Sequence, residues 1–499
     1  MKLAELVSTL SECEIDGLSD VDVSDIEYDS RRVKPGAAFV CISGDQVDGH
    51  DFAEEAVENG AVAVVAERVV AAGTGIARVT VQNSRKALAQ LSSRFFGNPS
   101  AELKLVGVTG TTGKTTSAYL IRGILEAAGH RVSLVGTVEN IVAGRPVDSK
   151  LTTPEALDIN RWLRNAVDSG DTAAVMEVSS HAIDLFRVFG LEYDAVVFTN
   201  LSQDHLDYHG NLEDYFFVKK RLFDEHNGVL NVVNIDDSYG RRLHGSGTGP
   251  SLAFGMGAEA DVRGDQVRAG RNCLEFNLLA RGESVKVAAQ VGGLFNVANM
   301  LAAAAVAVGL GVDLATVRLG LESFSGVPGR FEHVSAGQNF EVVIDFAHTP
   351  DSLAKALEAA RALEPTRVIC VFGCGGDRDE DKRAVMGRVS ARLADVTILT
   401  SDNPRSEDPQ KIISDIETGV RTSESSWLRI ADRRDAIMKA VDMAETGDLV
   451  LIAGKGHEDY QIFDHGVIPF DDREVAEELI RTKGARSGET RGGRRNTVT

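Results

Sequence analysis

The stretch VTGTTGKTT, Val108 to Thr116, sets Gly110 and Gly113 ahead of Lys114 and Thr115, between an apolar run, KLVGV, and a helical pattern, TSAYLIRGILEAAG. Glycines let backbone N–H groups wrap a phosphate, the following helix adds the positive end of its dipole, a lysine supplies charge, and a threonine hydroxyl can ligate magnesium. The stretch reads as a mononucleotide phosphate loop. Val108 stands where the strict Gly-x4-Gly-Lys-Ser/Thr pattern has its first glycine, so the strand-loop-helix context carries the reading.

Two later segments, VMEVSSH and FTNLSQDHLDYHG, each follow a strand-like run and bring Glu177, His181, Asp204, His205 and His209 toward one sheet edge. A carboxylate and an imidazole can bind a divalent ion, and magnesium on nucleotide phosphates uses only one or two protein carboxylates. Taken singly, each histidine reads as a structural hydrogen-bonding residue. A further turn, TSDNPRSEDP, places one guanidinium, Arg405, among Asp402, Glu407 and Asp408. In a partly dry cleft such a fork suits a substrate carboxylate; in a surface turn it only neutralises its neighbours, for about 0–1 kcal/mol.

Parallel strands must position these turns, because ligands of open α/β sheets sit at the carboxyl ends of the strands. The apolar runs AAVMEV, DAVVFT and GVLNVVN, and later FEVVIDFA, RVICVFG, DVTILT and DLVLIAG, alternate with helical patterns, as a parallel sheet requires. With 499 residues the chain needs about three cores. The loops GNPSAEL and SGVPGRFE mark the boundaries, giving units 1–98, 99–327 and 328–483, with a basic, aperiodic tail at 484–499 expected to be disordered.

A net charge of −21 argues against nucleic-acid binding. Five cysteines without a CxxC pair argue against disulfides and a structural zinc. No signal peptide and no run of 18 apolar residues is seen, so we expect a cytoplasmic protein with no membrane insertion.

Seven ordered segments are similar to motifs of the Mur ligases, the ATP-dependent amide-forming enzymes that build the peptide of the bacterial cell-wall precursor: GTTGKTT, EVSSH, TNLSQDHLDYHG, GLFNVANMLAA, GVPGRFE, DFAHTPDSL and GKGHE. The resemblance runs from about residue 25 to 475. It implies an α/β protein of three domains: a small uridine-nucleotide domain, a central ATPase-type parallel sheet, and a Rossmann-like domain that closes over the site. It also implies ATP and Mg2+, small-molecule substrates and a single-chain enzyme.

Carried over by position, the resemblance gives Gly110, Thr111, Thr112, Gly113, Lys114, Thr115 and Thr116 to the ATP phosphates, with Thr115, Glu177 and His205 on magnesium. Lys219 falls where the family has a carbamylated lysine, whose anionic oxygens can bind the ion, although Phe217 and Val218 depart from the pattern around it. Asn296 and Asn299 resemble adenine-side residues, and Arg330, Asp345 and His348 those reaching ATP from the third domain, where Phe346 replaces a tyrosine. Ser30, Arg31 and His50 resemble uridine-side residues, and Thr152, Thr153, Ser179 and Arg187 those meeting the muramoyl peptide.

The DNPR turn resembles the diaminopimelate-adding type. Arg405 would clamp the distal carboxylate of meso-diaminopimelate, with Arg383, Asp402, Asn403, Gly454 and Glu458 completing the amino-acid end. The implied reaction adds that amine to the D-glutamate of UDP-N-acetylmuramoyl-L-alanyl-D-glutamate through an acyl phosphate. The alternatives are a lysine-adding enzyme, a folylpolyglutamate-synthetase-like ligase, which leaves the first domain unexplained, and a nucleotide-hydrolysing switch, which has no use for the third-domain turns.

Overall fold

The computed structural model describes residues 1–492 except 45, 46, 72, 74, 150, 226, 227, 247, 248 and 271, and from 485 onward only its backbone is described. Three α/β units follow one another. The first sheet has five strands, with Ala37–Val40 and Ala63–Ala66 in its centre and entirely buried. Runs of alanine, valine and phenylalanine with no polar alternation suit strands covered on both faces.

The second sheet has eleven strands. Lys104–Thr109 lies between Ala173–Glu177 and Ala195–Phe198, all parallel, with Val132–Val135 beyond the one and Leu230–Asn234 beyond the other. The chain steps out to Val132–Val135, returns to Ala173–Glu177, and then crosses to Ala195–Phe198. That reversal opens a crevice at the carboxyl end of Lys104–Thr109, where the phosphate loop emerges. An antiparallel meander, Val262–Gly270, Cys273–Ala280 and Glu283–Ala289, extends one edge. Its alternate residues Leu274, Phe276 and Leu278 share a core with the helix Phe295–Gly309, which is buried on almost every side.

The third sheet is parallel apart from the short first strand, in the order Glu332–His333, Glu341–Asp345, Leu449–Ala453, Val368–Phe372, Val396–Leu399, Ser426–Arg429. Under its strand ends Arg433 donates to both carboxylate oxygens of Asp472 at 2.7 and 2.6 Å, with both side chains fully buried. The remaining guanidinium donors meet Ser401 O and Ala453 O, which fixes the two loops that leave those strands.

The units touch through named pairs. Tyr28 donates to Asp158 at 2.7 Å, and Arg85 faces Glu155 at 3.3 Å, which Arg187 of the second unit also meets at 2.9 Å. Ser202 donates to Asp351 at 2.9 Å, and the ring of Phe295 meets that of Phe331 edge-on. At the other end the last helix runs Asp472–Gly492 and so enters the stretch expected to lack structure from 484. It holds no proline, and a packed first turn lowers the cost of propagating the helix. Residues 493–499 lie outside the described residues.

Candidate active site

A cleft of about 630 Å³ lies at the carboxyl ends of the central strands, walled on its far side by the third unit. Thr111, Thr112, Gly113, Lys114, Thr115 and Thr116 form its floor. Gly110 has φ +147°, and a Cβ there would strike Thr199 Oγ1 and come within 3.1 Å of Asn200 N, so the loop can fold this tightly only with glycine. Lys114 is folded back onto Gly110 O (3.0 Å) and Thr111 O (2.9 Å), and burial lowers its pKa. Carbonyls hold the ammonium where an anion's oxygens would compete for it.

Glu177 is 1% exposed at the end of its strand, and among the described residues it makes no ion pair. Its Oε1 accepts from Thr137 N (2.7 Å) and its Oε2 from Thr137 Oγ1 (3.0 Å) and Thr115 Oγ1 (3.0 Å). A Cβ on Gly136 would approach Oε1 to 2.5 Å, so glycine also admits the carboxylate here. A buried carboxylate held only by neutral donors lacks its counter-charge, and hydroxyl, carboxylate and imidazole oxygens and nitrogens suit a hard divalent cation.

His205 lines the same cleft, 3.4 Å from Asp204, in a left-handed backbone conformation at φ +52°. Burial pulls its pKa down to about 4, so the ring is unprotonated and able to ligate at neutral pH. His181 packs edge-on against it at 4.9 Å. His209 points away, bonding Ser180 Oγ at 2.9 Å and stacking on Tyr215 at 4.8 Å.

Lys219 lies directly beneath the loop. It is 1% exposed, donates to Gly110 O (3.0 Å) and Thr109 Oγ1 (3.4 Å), and sits 4.6 Å over the Tyr215 ring. Burial first, then Lys114, drives its pKa well below the ordinary lysine value. A neutral, nucleophilic amine is the form that reacts with carbon dioxide.

From the third unit, Arg330 reaches across to donate to Thr115 Oγ1 at 3.3 Å and lies 4.5 Å over the Phe346 ring. Asp345 accepts from Phe331 N at 2.8 Å, and burial raises its pKa to about 6. His348 lines the cleft and bonds Phe346 O at 2.8 Å. Asn299 lines it too, whereas Asn296 stands behind, its Oδ1 accepting from Asn299 Nδ2 at 2.9 Å.

Thr152 and Ser179 border the cleft. Thr153 is buried one layer back, donating to Glu177 O at 2.9 Å, and Arg187 donates to Thr153 O at 3.1 Å. In the first unit Ser30 donates to Glu55 (3.1 Å), and His50 bonds Asp48 through Nδ1 (2.6 Å) and accepts Glu67 N at Nε2 (3.1 Å). Arg31 is exposed and paired with Asp29. The first unit's three residues lie apart from the cleft walls.

The amino-acid end is a second cluster. Arg405 is half-buried at φ +54°, with its N–H on Ile462 O (2.9 Å) and Nη1 on Gly376 O (2.7 Å), and it makes no ion pair among the described residues. Its acidic neighbours are engaged elsewhere: Glu407 with Arg383, and Asp408 capping the helix Pro409–Val420. Arg383 is fully buried against Glu407 (2.7 Å) and Asp415 (2.9 Å), so it braces this loop, while its Nε has no hydrogen-bond partner among the described residues. Asn403 donates to Glu458 at 2.8 Å, and Gly454 at φ +116° leaves room for Asp402, whose carboxyl is raised by burial.

Several cleft residues were not singled out in the sequence: Thr137, Asn200, Asn234, Asp236, Phe295 and Lys355. Four of these stand at the ends of parallel strands, Asn234 as a last strand residue and Thr137, Asn200 and Asp236 two residues beyond one, which is the signal that could have found them.

Comparisons with known proteins agree with this layout. Residues 22–96 match the Mur ligase family catalytic domain, 108–307 the Mur ligase middle domain, and 329–456 the Mur ligase glutamate ligase domain. The chain is 44% identical to the UDP-N-acetylmuramoyl-L-alanyl-D-glutamate--2,6-diaminopimelate ligase of Geobacillus thermodenitrificans, over 97% of this chain and all of that one. It is 43% identical to the Clostridium tetani protein of the same name, over 96% and 99%. A solved structure carrying that name superposes with a TM-score of 0.68 at 31% identity, over 97% and 100% of the two chains. Phosphate loop, isolated carboxylate, third-domain arginine and full-length likeness agree, and the chain belongs to the Mur ligase family.

Proposed function

We propose that the protein adds meso-2,6-diaminopimelate to the D-glutamate carboxylate of UDP-N-acetylmuramoyl-L-alanyl-D-glutamate, converting ATP to ADP and phosphate. The observation that carries this reading is the single cleft in which Lys114, Glu177 and Arg330 of two different units face one another. The choice of amine rests on Arg405, a guanidinium that makes no ion pair among the described residues, in a carboxylate-rich turn.

Lys114 exchanges its loop carbonyls for the β- and γ-phosphate oxygens of ATP, whose adenine lies toward Asn299. Thr115, Glu177 and His205 would hold Mg2+, and Lys219 would add an anionic oxygen on taking up carbon dioxide at its neutral amine and losing a proton. The ion, when bound, neutralises phosphate charge. A D-glutamate carboxylate oxygen then attacks the γ-phosphorus while the bond to the ADP oxygen breaks, with Lys114 and Arg330 countering the charge on the moving phosphoryl group. The neutral amine of diaminopimelate attacks the acyl phosphate, phosphate leaves, and the nitrogen releases its proton.

Residues 1–98 would carry the uridine nucleotide through Ser30, Arg31 and His50. Residues 99–327 would carry ATP and, through Thr152, Thr153, Ser179 and Arg187, the peptide, and 328–483 the amine. The enzyme would act as a monomer. No described helix is long and apolar enough to cross a membrane. An enzyme that draws on ATP and a uridine-linked peptide would act in the cytoplasm.

Phosphate release tests the reading: it should require the uridine-linked dipeptide and an amine together, with meso-diaminopimelate far ahead of L-lysine. Release in the absence of an amine would refute it.

A further inference from the structure

Lys455 is fully buried beneath the amino-acid end. Its Nζ donates to Asn403 Oδ1 at 3.2 Å and to Glu458 Oε2 at 3.1 Å, lies 4.0 Å from Asp402 Oδ1, and sits 5.3 Å over the Tyr460 ring. Ile462 N also donates to Asn403 Oδ1, at 3.1 Å, so two donors fix the amide oxygen and turn its nitrogen toward Glu458. One oxygen of Glu458 is thereby occupied by Lys455 and Asn403 together.

The surrounding charges pair off. Arg433 is matched by Asp472, and Arg383 and Lys411 together face Glu407 and Asp415. On the rim, Arg378 and Asp377 both face Arg405 and oppose each other. What remains is Asp402 and Glu458 against Lys455 and Arg405. With both carboxyls ionised the four sum to zero, which complements an amino-acid terminus bearing one carboxylate and one ammonium. Without Lys455 the sum is negative, which complements a bare side-chain ammonium.

We infer that Lys455 is a positioning residue that sets amine choice: it orients Asn403 and Glu458 and balances the pocket for a zwitterionic terminus against a purely cationic one. Specificity is a difference between two affinities, and an unbalanced charge in a closed pocket penalises the wrong partner. The inference rests on the proposed reaction.

The test measures kcat/KM for meso-diaminopimelate and for L-lysine in the full-length wild type and in Lys455→Met, Lys455→Gln and Lys455→Arg, after thermal melting of each. The diaminopimelate-to-lysine ratio should fall by about tenfold or more in the Met and Gln variants, through the KM for diaminopimelate, while the KM for ATP stays put and Arg preserves the ratio. An unchanged ratio in Met or Gln, or an equal fall in Arg, would overturn it. A measurement on the wild type alone covers variants that fail to fold: 2-aminopimelate, which lacks the distal ammonium, should be used about tenfold less well than meso-diaminopimelate, and equal use would defeat the inference. A wild type that uses no amine would instead indict the assigned reaction.

Discussion

Glu177 accepts three hydrogen bonds at once, and two of them come from Thr137. Groups that orient a metal-ligating carboxylate commonly change metal affinity by about 10–100-fold when removed. Thr137→Val keeps the shape of the side chain and removes the hydroxyl, so Mn2+ binding to the nucleotide-loaded protein, followed by electron paramagnetic resonance, should weaken by about tenfold, and Thr137→Ser should restore it. Unchanged binding in the valine variant would contradict the role. Glu177 was legible in the sequence because it ends an apolar run. Thr137 was not, since its contact spans 40 residues and depends on two strands lying side by side. Arg383 shows a further limit of local sequence: its motif suggests a ligand, and only the fold brings Glu407 and Asp415 onto it.

At the scale of elements, two contacts predict how the fold fails. The helix at Asp472 is tied to the third sheet by the fully buried pair with Arg433, and removing one member leaves a buried charge unmatched. Asp472→Ala should cost about 3–5 kcal/mol in the third unit, read by Trp427 fluorescence during urea unfolding in a Trp162→Phe background. A loss under about 1 kcal/mol would show that the pair is dispensable.

His209 supplies a pH test. Burial lowers its pKa from 6.5 to about 4, so between these values the unfolded chain takes up a proton more readily than the folded one. Its contribution to stability is complete above pH 6.5 and disappears as pH falls through 4. His209→Gln should therefore flatten the decline of Tm over that interval, and an unaltered slope would exclude His209 from the acid limb. The strands and phosphate loop were readable from periodicity and glycine placement. That the His209 ring would turn to Ser180 and Tyr215, and not to the cleft, depended on the left-handed turn at His205, which no pattern announces.

Across the whole molecule, the cleft is completed only where the third unit meets the second: Arg330 touches Thr115, Asp351 accepts from Ser202, and Phe295 packs on Phe331. Glu155, shared by Arg85 and Arg187, ties the first unit to the segment that borders the cleft from the other side. The three-part division was visible in the sequence through its loop-rich boundaries, whereas these cross-unit contacts join residues 36 to 215 positions apart and had no local signal. The central claim is that this assembly joins one chosen amine to a uridine-linked dipeptide. Mass spectrometry of a reaction holding ATP, Mg2+, the dipeptide and equal amounts of meso-diaminopimelate and L-lysine tests it most directly. The account predicts one dominant product, the dipeptide plus diaminopimelate less one water, and a dominant lysine adduct or no adduct at all would contradict it.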